Sequence, residues 1–382
     1  MKRILIIAGE ASSDMHGADL VREVRSLDKD TSFFGLGGSK MKEAGVALHA
    51  NIVRLAFIGP GGLFKHYLQL RKIYYSLLNR LKQSPPDLAI LIDYAEFNLR
   101  VAKELKTLGV PVIYYVSPQI WAWGLWRVKI IRRLVAKMLV FFRFEETLYK
   151  KYGVNVSFVG HPLLDTVRAT VRKEEMLKRL GIEKNKKIVG LLPGSRESEI
   201  KNILPIMLES SKLLLRRPGF KIGLILPLAA TVDKHSVERM IKKSGIDVIV
   251  VETETYNTIA ACDCAMVASG TATLETALLD VPMAIIYKAN FLTYILTKHL
   301  IKLPYIGLVN VVSGKHLAPE FLQYDAAPDK IAGYIKRLLT DSQLVHDLKQ
   351  EFLELKNNLG RPGASKRAAQ EVIGILNNKC VA

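Results

Sequence analysis

"KIVGLLPGSRESEI", Lys187 to Ile200, decides the fold. Ile188 to Leu192 is a short apolar run, Pro193 and Gly194 make a turn, and a charged, helix-compatible segment follows. A run this short, closed by two breakers, reads as a strand buried on both faces rather than as a helix. Its position carries the weight. A first series of such runs precedes it, "RILIIAG", "TSFFGLG", "DLAILID", "VPVIYYV", "KMLVFF" and "VSFVG", separated by helical patterns. After "GHPLLD" (Gly160 to Asp165) a charged helical stretch leads to Lys187, where the alternation starts again and continues through "FKIGLILP", "IDVIVVE", "DCAMVAS" and "VPMAIIY". Apolar strands alternating with helices predict a parallel sheet covered on both faces, and two series predict an α/β protein of two doubly wound units.

The expected domains are residues 1–170, completed by a C-terminal helix over 364–382 that restarts after "RPGAS", and residues 171–363. A chain of 382 residues is too long for one ordinary core, and 49% apolar with 24% charged residues is a globular composition. The formal net charge of +19 predicts an anionic partner: nucleic acid, nucleotide, phosphorylated substrate or anionic lipid. "MKRILIIAGE" runs into Glu10 rather than a cleavage site, so no signal peptide is expected. The longest uncharged stretch, Gly109 to Trp126, contains Pro111, Pro118 and Gly124 and reads as strand and loop, not as a membrane span. Cys262, Cys264 and Cys380 lack metal-ligand spacing; no metal site is expected.

Ligands of open α/β sheets bind at the carboxyl ends of the strands, so candidate residues are sought there. In "LLPGSRESEI" a helix expected to start near Ser195 points free N–H groups outward from Gly194 and Ser195, and Arg196 adds a fork of donors for phosphate oxygens. A capped helix with a surface arginine would look the same. "MVASGTATLETALLDVP" (Met266 to Pro282) repeats the design, with Ser269, Gly270 and Thr271 in the turn and Glu275 one helical turn further on. Glu275 suits a sugar or ribose diol, and equally suits the helix dipole. Two such helix starts assign the nucleotide to the second domain.

In the first domain "LAILIDYAEFN" ends a strand at Asp93, with Glu96 and Asn98 following. A carboxylate there suits a general base, or an N-cap for the next helix. "ILIIAGEASSDMHGADL" (Ile4 to Leu20) resembles a phosphate turn but matches neither G-x-G-x-x-G nor G-x-x-x-x-G-K-[ST], and Glu10 and Asp14 would repel a pyrophosphate. Glu10, Ser12 and Asp14, with Asn98, are therefore expected on the acceptor side; alternatively Ser12 or Ser13 caps a helix beginning near Asp14.

"GGLFKHYLQLRKIYYSLLNRLK" (Gly61 to Lys82) has an apolar stripe containing Leu63, Phe64, Tyr67, Leu70, Tyr74, Leu77, Leu78 and Leu81. Such a stripe covers a sheet or enters a bilayer interface. Leu63, Phe64, Tyr67 and Leu70 are the membrane-facing candidates. "KANFLTYILTKHLIKLPYIGL" (Lys288 to Leu308) has a similar mixture. Trp121, Trp123 and Trp126, just before a basic run, suit a headgroup boundary or a buried cluster.

Taken in order, "AGEASSD", "IDYAEFN", "YVSPQIWAWG", "VGHPLLD", "LLPGSRESEI", "ASGTATLETAL" and "GLVN", from residue 8 to about 310, resemble the lipid-A-disaccharide synthases, inverting glycosyltransferases of the two-Rossmann-domain (GT-B) architecture. The resemblance implies two Rossmann-like domains facing each other across a cleft. It implies a UDP-2,3-diacylglucosamine donor, a 2,3-diacylglucosamine 1-phosphate (lipid X) acceptor, a β(1→6) product and released UDP. It further implies no cofactor, no nucleic acid partner, and a cytoplasmic enzyme held peripherally on an anionic inner-membrane surface; a homodimer is compatible with it. By position, Asp93 matches the general base, Arg196 the donor-phosphate arginine, Glu275 the glutamate of the nucleotide-side helix and Asn310 a cleft asparagine. Ser13 stands where the family pattern has glycine, and "YAE" where "APD" is common, which leaves Asp93 in place. The alternatives are a UDP-N-acetylglucosamine 2-epimerase or another GT-B sugar-nucleotide enzyme and, from a different class, a non-catalytic basic nucleic-acid-binding protein.

Overall fold

The computed structural model describes residues 1–53, 63–118, 120, 124–217, 219–288 and 304–379. It forms two compact units, Met1–Pro162 with Leu359–Ala382, and Leu163–Asn358. Both crossings fall a few residues before the expected ones. Asn257 explains the first: its Oδ1 accepts from the N–H groups of Thr170 (2.7 Å) and Val171 (3.2 Å) and so draws the connecting segment into the second unit. The return is anchored where Leu359 accepts from the His161 N–H at 3.0 Å and Gly360 packs on Phe158.

The first unit is built on seven parallel strands: β1 (Lys2–Ala8), β2 (Thr31–Gly37), β3 (Ala47–Asn51), β4 (Leu88–Ile92), β5 (Val112–Tyr115), β6 (Lys137–Val140) and β7 (Val156–Phe158). Their order is β3-β2-β1-β4-β5-β6-β7. The period of two in each strand feeds two cores. Leu5 and Ile7 join Leu91, Tyr114 and the Leu63–Gln83 helix on one face, while Ile4 and Ile6 join Ile90, Tyr115 and the Ala364–Lys379 helix on the other. β1 and β4 run in register from Ile4↔Leu88 to Ala8↔Ile92, so their ends are level where the strand order reverses. Gly9 and Glu10 therefore emerge beside Asp93 and Tyr94.

The second unit carries six parallel strands, β8 (Lys187–Leu192), β9 (Ile222–Pro227), β10 (Ile249–Val251), β11 (Cys264–Ala268), β12 (Met283–Tyr287) and β13 (Glu320–Leu322). Their order is β10-β9-β8-β11-β12-β13. Here the reversal lies between β8 and β11, paired as Val267↔Leu192 at their ends. The turns after Leu192 and Ala268 are thus neighbours, although more than a full supersecondary unit separates them in sequence. Cys262 and Cys264 are buried, and burial pushes both thiols up, as expected of small core residues.

Candidate functional site

After β8, Gly194 takes a left-handed φ of +113° and redirects the chain. The helix begins at Glu197 with Arg196 as N-cap, not near Ser195 as expected, because the turn and not a serine side chain forms the start. The Ser195 and Arg196 N–H groups do converge, but they are not open. Both donate to Glu199 Oε2, at 2.9 and 3.2 Å, and the Arg196 guanidinium donates to Oε1 at 3.3 Å. A Cβ at Gly194 would lie 2.3 Å from Glu199 Oε2, so the turn requires glycine for its φ and for this close approach. The Thr231 hydroxyl pins the turn by donating to Ser195 O at 2.7 Å.

The turn after β11 places Gly270 as N-cap of the Thr271–Leu278 helix. The Ser269 hydroxyl donates to Ile306 O (3.1 Å), and Thr273 Oγ1 accepts from the Val309 N–H (3.2 Å), so this turn and the "GLVN" segment form one hydrogen-bonded piece. Glu275 accepts from the Tyr256 hydroxyl at 3.2 Å; burial raises its pKa and that hydrogen bond opposes the rise. Gly194, Ser195, Arg196, Glu199, Ser269, Gly270, Thr271 and Glu275 all line one cavity of about 390 Å³, within the size range of small-molecule sites.

Asn310 is not among the residues that line it. It is fully buried: Nδ2 donates to Ala318 O (2.7 Å) and Glu320 Oε1 (2.8 Å), and Oδ1 accepts from the Ala318 N–H (3.0 Å). Glu320 also accepts from the N–H groups of Ile306 and Gly307, each at 2.9 Å. These two side chains use their polarity to hold the segment behind the turn. Sequence reasoning missed Glu199, Tyr256 and Glu320; only Glu199, three residues beyond an N-cap position, carried a signal that could have found it.

In the first unit, Asp93 and Tyr94 at the end of β4 take φ of 47° and 46°, and Val116 at the end of β5 takes 65°. Left-handed backbone is unfavourable for non-glycine residues, most of all for a β-branched one, and such strain concentrates at working sites. Asn98 holds it in place: its Nδ2 donates to Ile92 O (3.1 Å) and Asp93 O (2.7 Å), and the Tyr114 hydroxyl also donates to Asp93 O. Asn98 is completely buried and lies beneath the site rather than on its acceptor face. The N-cap of the Ala95–Thr107 helix is Tyr94, with no side-chain cap, so Asp93 does not serve as one. Burial first, then the charge of Glu10, push the Asp93 carboxyl up to about 6 against the pull of the Tyr94 N–H.

The opening motif meets this strand end directly. A Cβ at Gly9 would sit 2.4 Å from Tyr94 Cγ, so Gly9 makes room for a ring, not a phosphate. The helix starts at Ala11, earlier than expected, with Glu10 exposed at the N-cap and no serine capping it. Ser12 is exposed on its first turn. Asp14 is buried and accepts from the N–H groups of Gly38 (2.7 Å), Lys40 (2.9 Å) and Met41 (3.1 Å). It fastens the "GLGGSK" turn and the short Ser39–Glu43 helix instead of facing an acceptor. His16 and His161 both pack on the Phe141 ring, and burial lowers them to about 4 and about 3.

Along the Leu63–Gln83 helix, Leu70 and Tyr74 pack against the core with Leu77, Leu78 and Leu81, which corrects the outward reading of Leu70. Among its described residues, Tyr67, Leu68 and Tyr75 are the exposed large hydrophobic ones. The side chains of Leu63 and Phe64 lie outside the described residues, as do Trp121, Trp123, Cys380, residues 54–62 and residues 289–303. Trp126 is 64% exposed, and Arg127 pairs with Glu96. Among the described residues no helix is long and apolar enough to cross a membrane, and no three His, Cys, Asp or Glu side chains gather as a metal would require.

Residues 4–372 match the family model described as lipid-A-disaccharide synthetase. The chain is 43% identical over 377 residues to the lipid-A-disaccharide synthase of Geobacter sulfurreducens, covering 99% of this chain and 98% of that one. It is 38% identical over 379 residues to lipid-A-disaccharide synthase 1 of Legionella pneumophila, with 99% and 98% covered. Among solved structures it is similar to the UDP complex of S. aureus MnaA (TM-score 0.65, 14% identity, 99% and 97% covered). It is also similar to the UDP-GlcNAc 2-epimerase of Neisseria meningitidis bound to UDP-GlcNAc (TM-score 0.63, 12% identity, 98% and 100% covered). At such identities the structural likeness is one of fold, the paired doubly wound units of GT-B proteins.

Proposed function

The chain belongs to the lipid-A-disaccharide synthase family, and on that premise we propose how its two strand-end clusters share the reaction. The enzyme is an inverting glycosyltransferase: it joins the sugar of UDP-2,3-diacylglucosamine to lipid X, giving the β(1→6)-linked lipid A disaccharide 1-phosphate and UDP. In this reading the Leu163–Asn358 unit holds the donor. The diphosphate lies on Arg196, the Ser195 N–H and the helix start at Gly270 and Thr271, and Glu275 accepts from a diol. The observation that carries the assignment is the single cavity into which both helix starts, an arginine and a hydrogen-bonded glutamate converge.

The Met1–Pro162 unit presents the base. Asp93 removes the proton of the acceptor 6-hydroxyl as that oxygen attacks the anomeric carbon; the bond to the β-phosphate oxygen breaks on the opposite face, and the configuration inverts. Charge growing on the leaving diphosphate is met by donors that the two turns hold in fixed directions, the arrangement in which electrostatic catalysis is strongest. A carboxyl with a pKa of about 6 is ionised at neutral pH yet basic enough to take a proton. Glu10, whose charge reaches Asp93, and Ser12 remain on the acceptor side. The test is UDP release from the diacylated donor with and without lipid X. Release that requires lipid X supports the transferase, whereas conversion of UDP-N-acetylglucosamine without an acceptor would support the epimerase alternative.

Both substrates are lipid anions, so the +19 charge and the exposed Tyr67, Leu68, Tyr75 and Trp126 support a protein that works on the anionic inner face of a membrane. Sedimentation with anionic vesicles, falling as salt rises, is the expected behaviour. No binding at low salt would remove this part of the reading.

A further inference from the structure

Glu199 occupies the seat that the donor diphosphate needs. One carboxylate oxygen accepts from two consecutive N–H groups, the other from the Arg196 guanidinium, and all three donors belong to the anion site of the 390 Å³ cavity. A diphosphate on those donors would place its charge within about 3 Å of the carboxylate if Glu199 stayed, and like charges that close strongly disfavour one another. The donors also cannot serve both anions fully, since each N–H has one hydrogen to give.

We infer that Glu199 is an internal anion that shares the phosphate seat, swings out when the donor diphosphate arrives, and competes with UDP for the same donors at the end of each turnover. This inference rests on the assignment of the nucleotide to the Leu163–Asn358 unit. The exchange is conservative for the fold. Glu199 stands in the first turn of the Glu197–Leu215 helix, where a negative charge satisfies the helix start, and the incoming phosphate supplies the same charge to the same N–H groups. It also has a purpose in the reaction. A site with two helix starts and an arginine would hold released UDP tightly, and a tethered carboxylate returning to its seat weakens that hold without weakening any contact to the transition state.

A resident that must leave lowers the apparent affinity by the fraction of molecules in which the seat is open, and removing the resident restores it. UDP and uridine are titrated calorimetrically into the full-length wild type and into Glu199→Ala, Glu199→Gln and Arg196→Ala, each confirmed as folded by its melting transition. Glu199→Ala is expected to tighten UDP by about five- to tenfold and Glu199→Gln by about two- to threefold, with uridine unchanged because it brings no phosphate. Arg196→Ala is expected to weaken UDP about tenfold or more. If both Glu199 variants bind UDP equally or less tightly while Arg196→Ala weakens it, Glu199 merely props the turn and the inference fails with the nucleotide assignment intact. If Arg196→Ala leaves UDP binding unchanged, the assignment itself is what fails.

Discussion

The turns after β1 and β8 occupy the same place, each at a strand beside the point where its sheet reverses order, and both carry a glycine followed by serine and acid. In the proposed reading they serve opposite purposes. After β1, Gly9 is covered by the Tyr94 ring, Asp14 is turned away to hold Gly38, Lys40 and Met41, and Glu10 puts a negative charge beside Asp93. After β8, Gly194 bends left-handed so that two N–H groups and Arg196 face a cavity, already holding a carboxylate. A glycine-bearing turn between strand and helix is therefore not a phosphate seat in itself. In that reading the neighbouring strand end decides: β4 brings a buried acid and a ring, whereas β11 brings Gly270 and Thr271 into the same cavity as Arg196.

The sharpest way to separate the two ends is Asp93→Asn. Turnover should fall by about a thousandfold, the range for loss of a general base, while UDP affinity stays within about twofold. A variant keeping most of its rate in the lipid X assay would take the base away from this strand end.

The two glycines come next. Gly194→Ala forces an unfavourable φ that should cost about 1–3 kcal/mol of stability and, by re-aiming the Ser195 and Arg196 N–H groups, about tenfold or more in UDP affinity, which outweighs any gain from crowding Glu199 out of its seat. Gly9→Ala pushes against Tyr94, so it should raise the KM for lipid X and leave the UDP dissociation constant alone. Reversed effects, measured by calorimetry and initial rates, would mean that the assignment of the turns is inverted.

Acidity offers a third separation. The rate constant kcat/KM should fall about tenfold per pH unit below pH about 6 as Asp93 takes up a proton. Its raised folded pKa also means that the folded protein keeps a proton which the unfolded chain has released, between pH 3.8 and about 6. Ionisation there costs stability, and the cost is complete above pH 6. Asp93→Asn should consequently be more stable than wild type by on the order of 1–2 kcal/mol at pH 7 to 8, with the gap closing as pH falls towards 4. His16 and His161 act in the opposite sense, because their lowered folded pKa values cost stability as pH falls below 6.5, but they do so equally in both proteins and cancel in the difference. Melting curves across that range read this difference.

The smallest effect concerns the Leu63–Gln83 helix. Tyr67→Ser with Tyr75→Ser should reduce anionic-vesicle binding by about threefold to tenfold without changing the melting temperature, whereas Leu70→Ser should lower that temperature. Vesicle sedimentation beside a thermal scan distinguishes them.

The two strand series, the strand ends and the glycine turns could all be read from the chain, because buried parallel strands and breakers leave a strong local pattern. Polar side chains at those strand ends could not be sorted in the same way. Asp14 and Asn98 look like site residues because they follow strands, and Asn310 because of its place in the family pattern, yet each is buried and hydrogen-bonds to the backbone that shapes the site. A side chain that contacts a ligand and one that holds the contacting loop share composition and spacing, and only burial separates them. Helix starts were displaced for a related reason, since neither begins at a serine cap. Leu70 faces the core and not outward, because an amphipathic stripe says that one face is covered without saying by what.

Hydrogen exchange with and without saturating UDP tests the central contrast most directly, since it reports both turns in one sample. New protection is expected at Gly194–Ile200 and Ser269–Glu275, with exchange at Gly9–Asp14 unchanged. Protection at Gly9–Asp14 with none at Gly194–Ile200 would contradict it and return the nucleotide to the first unit.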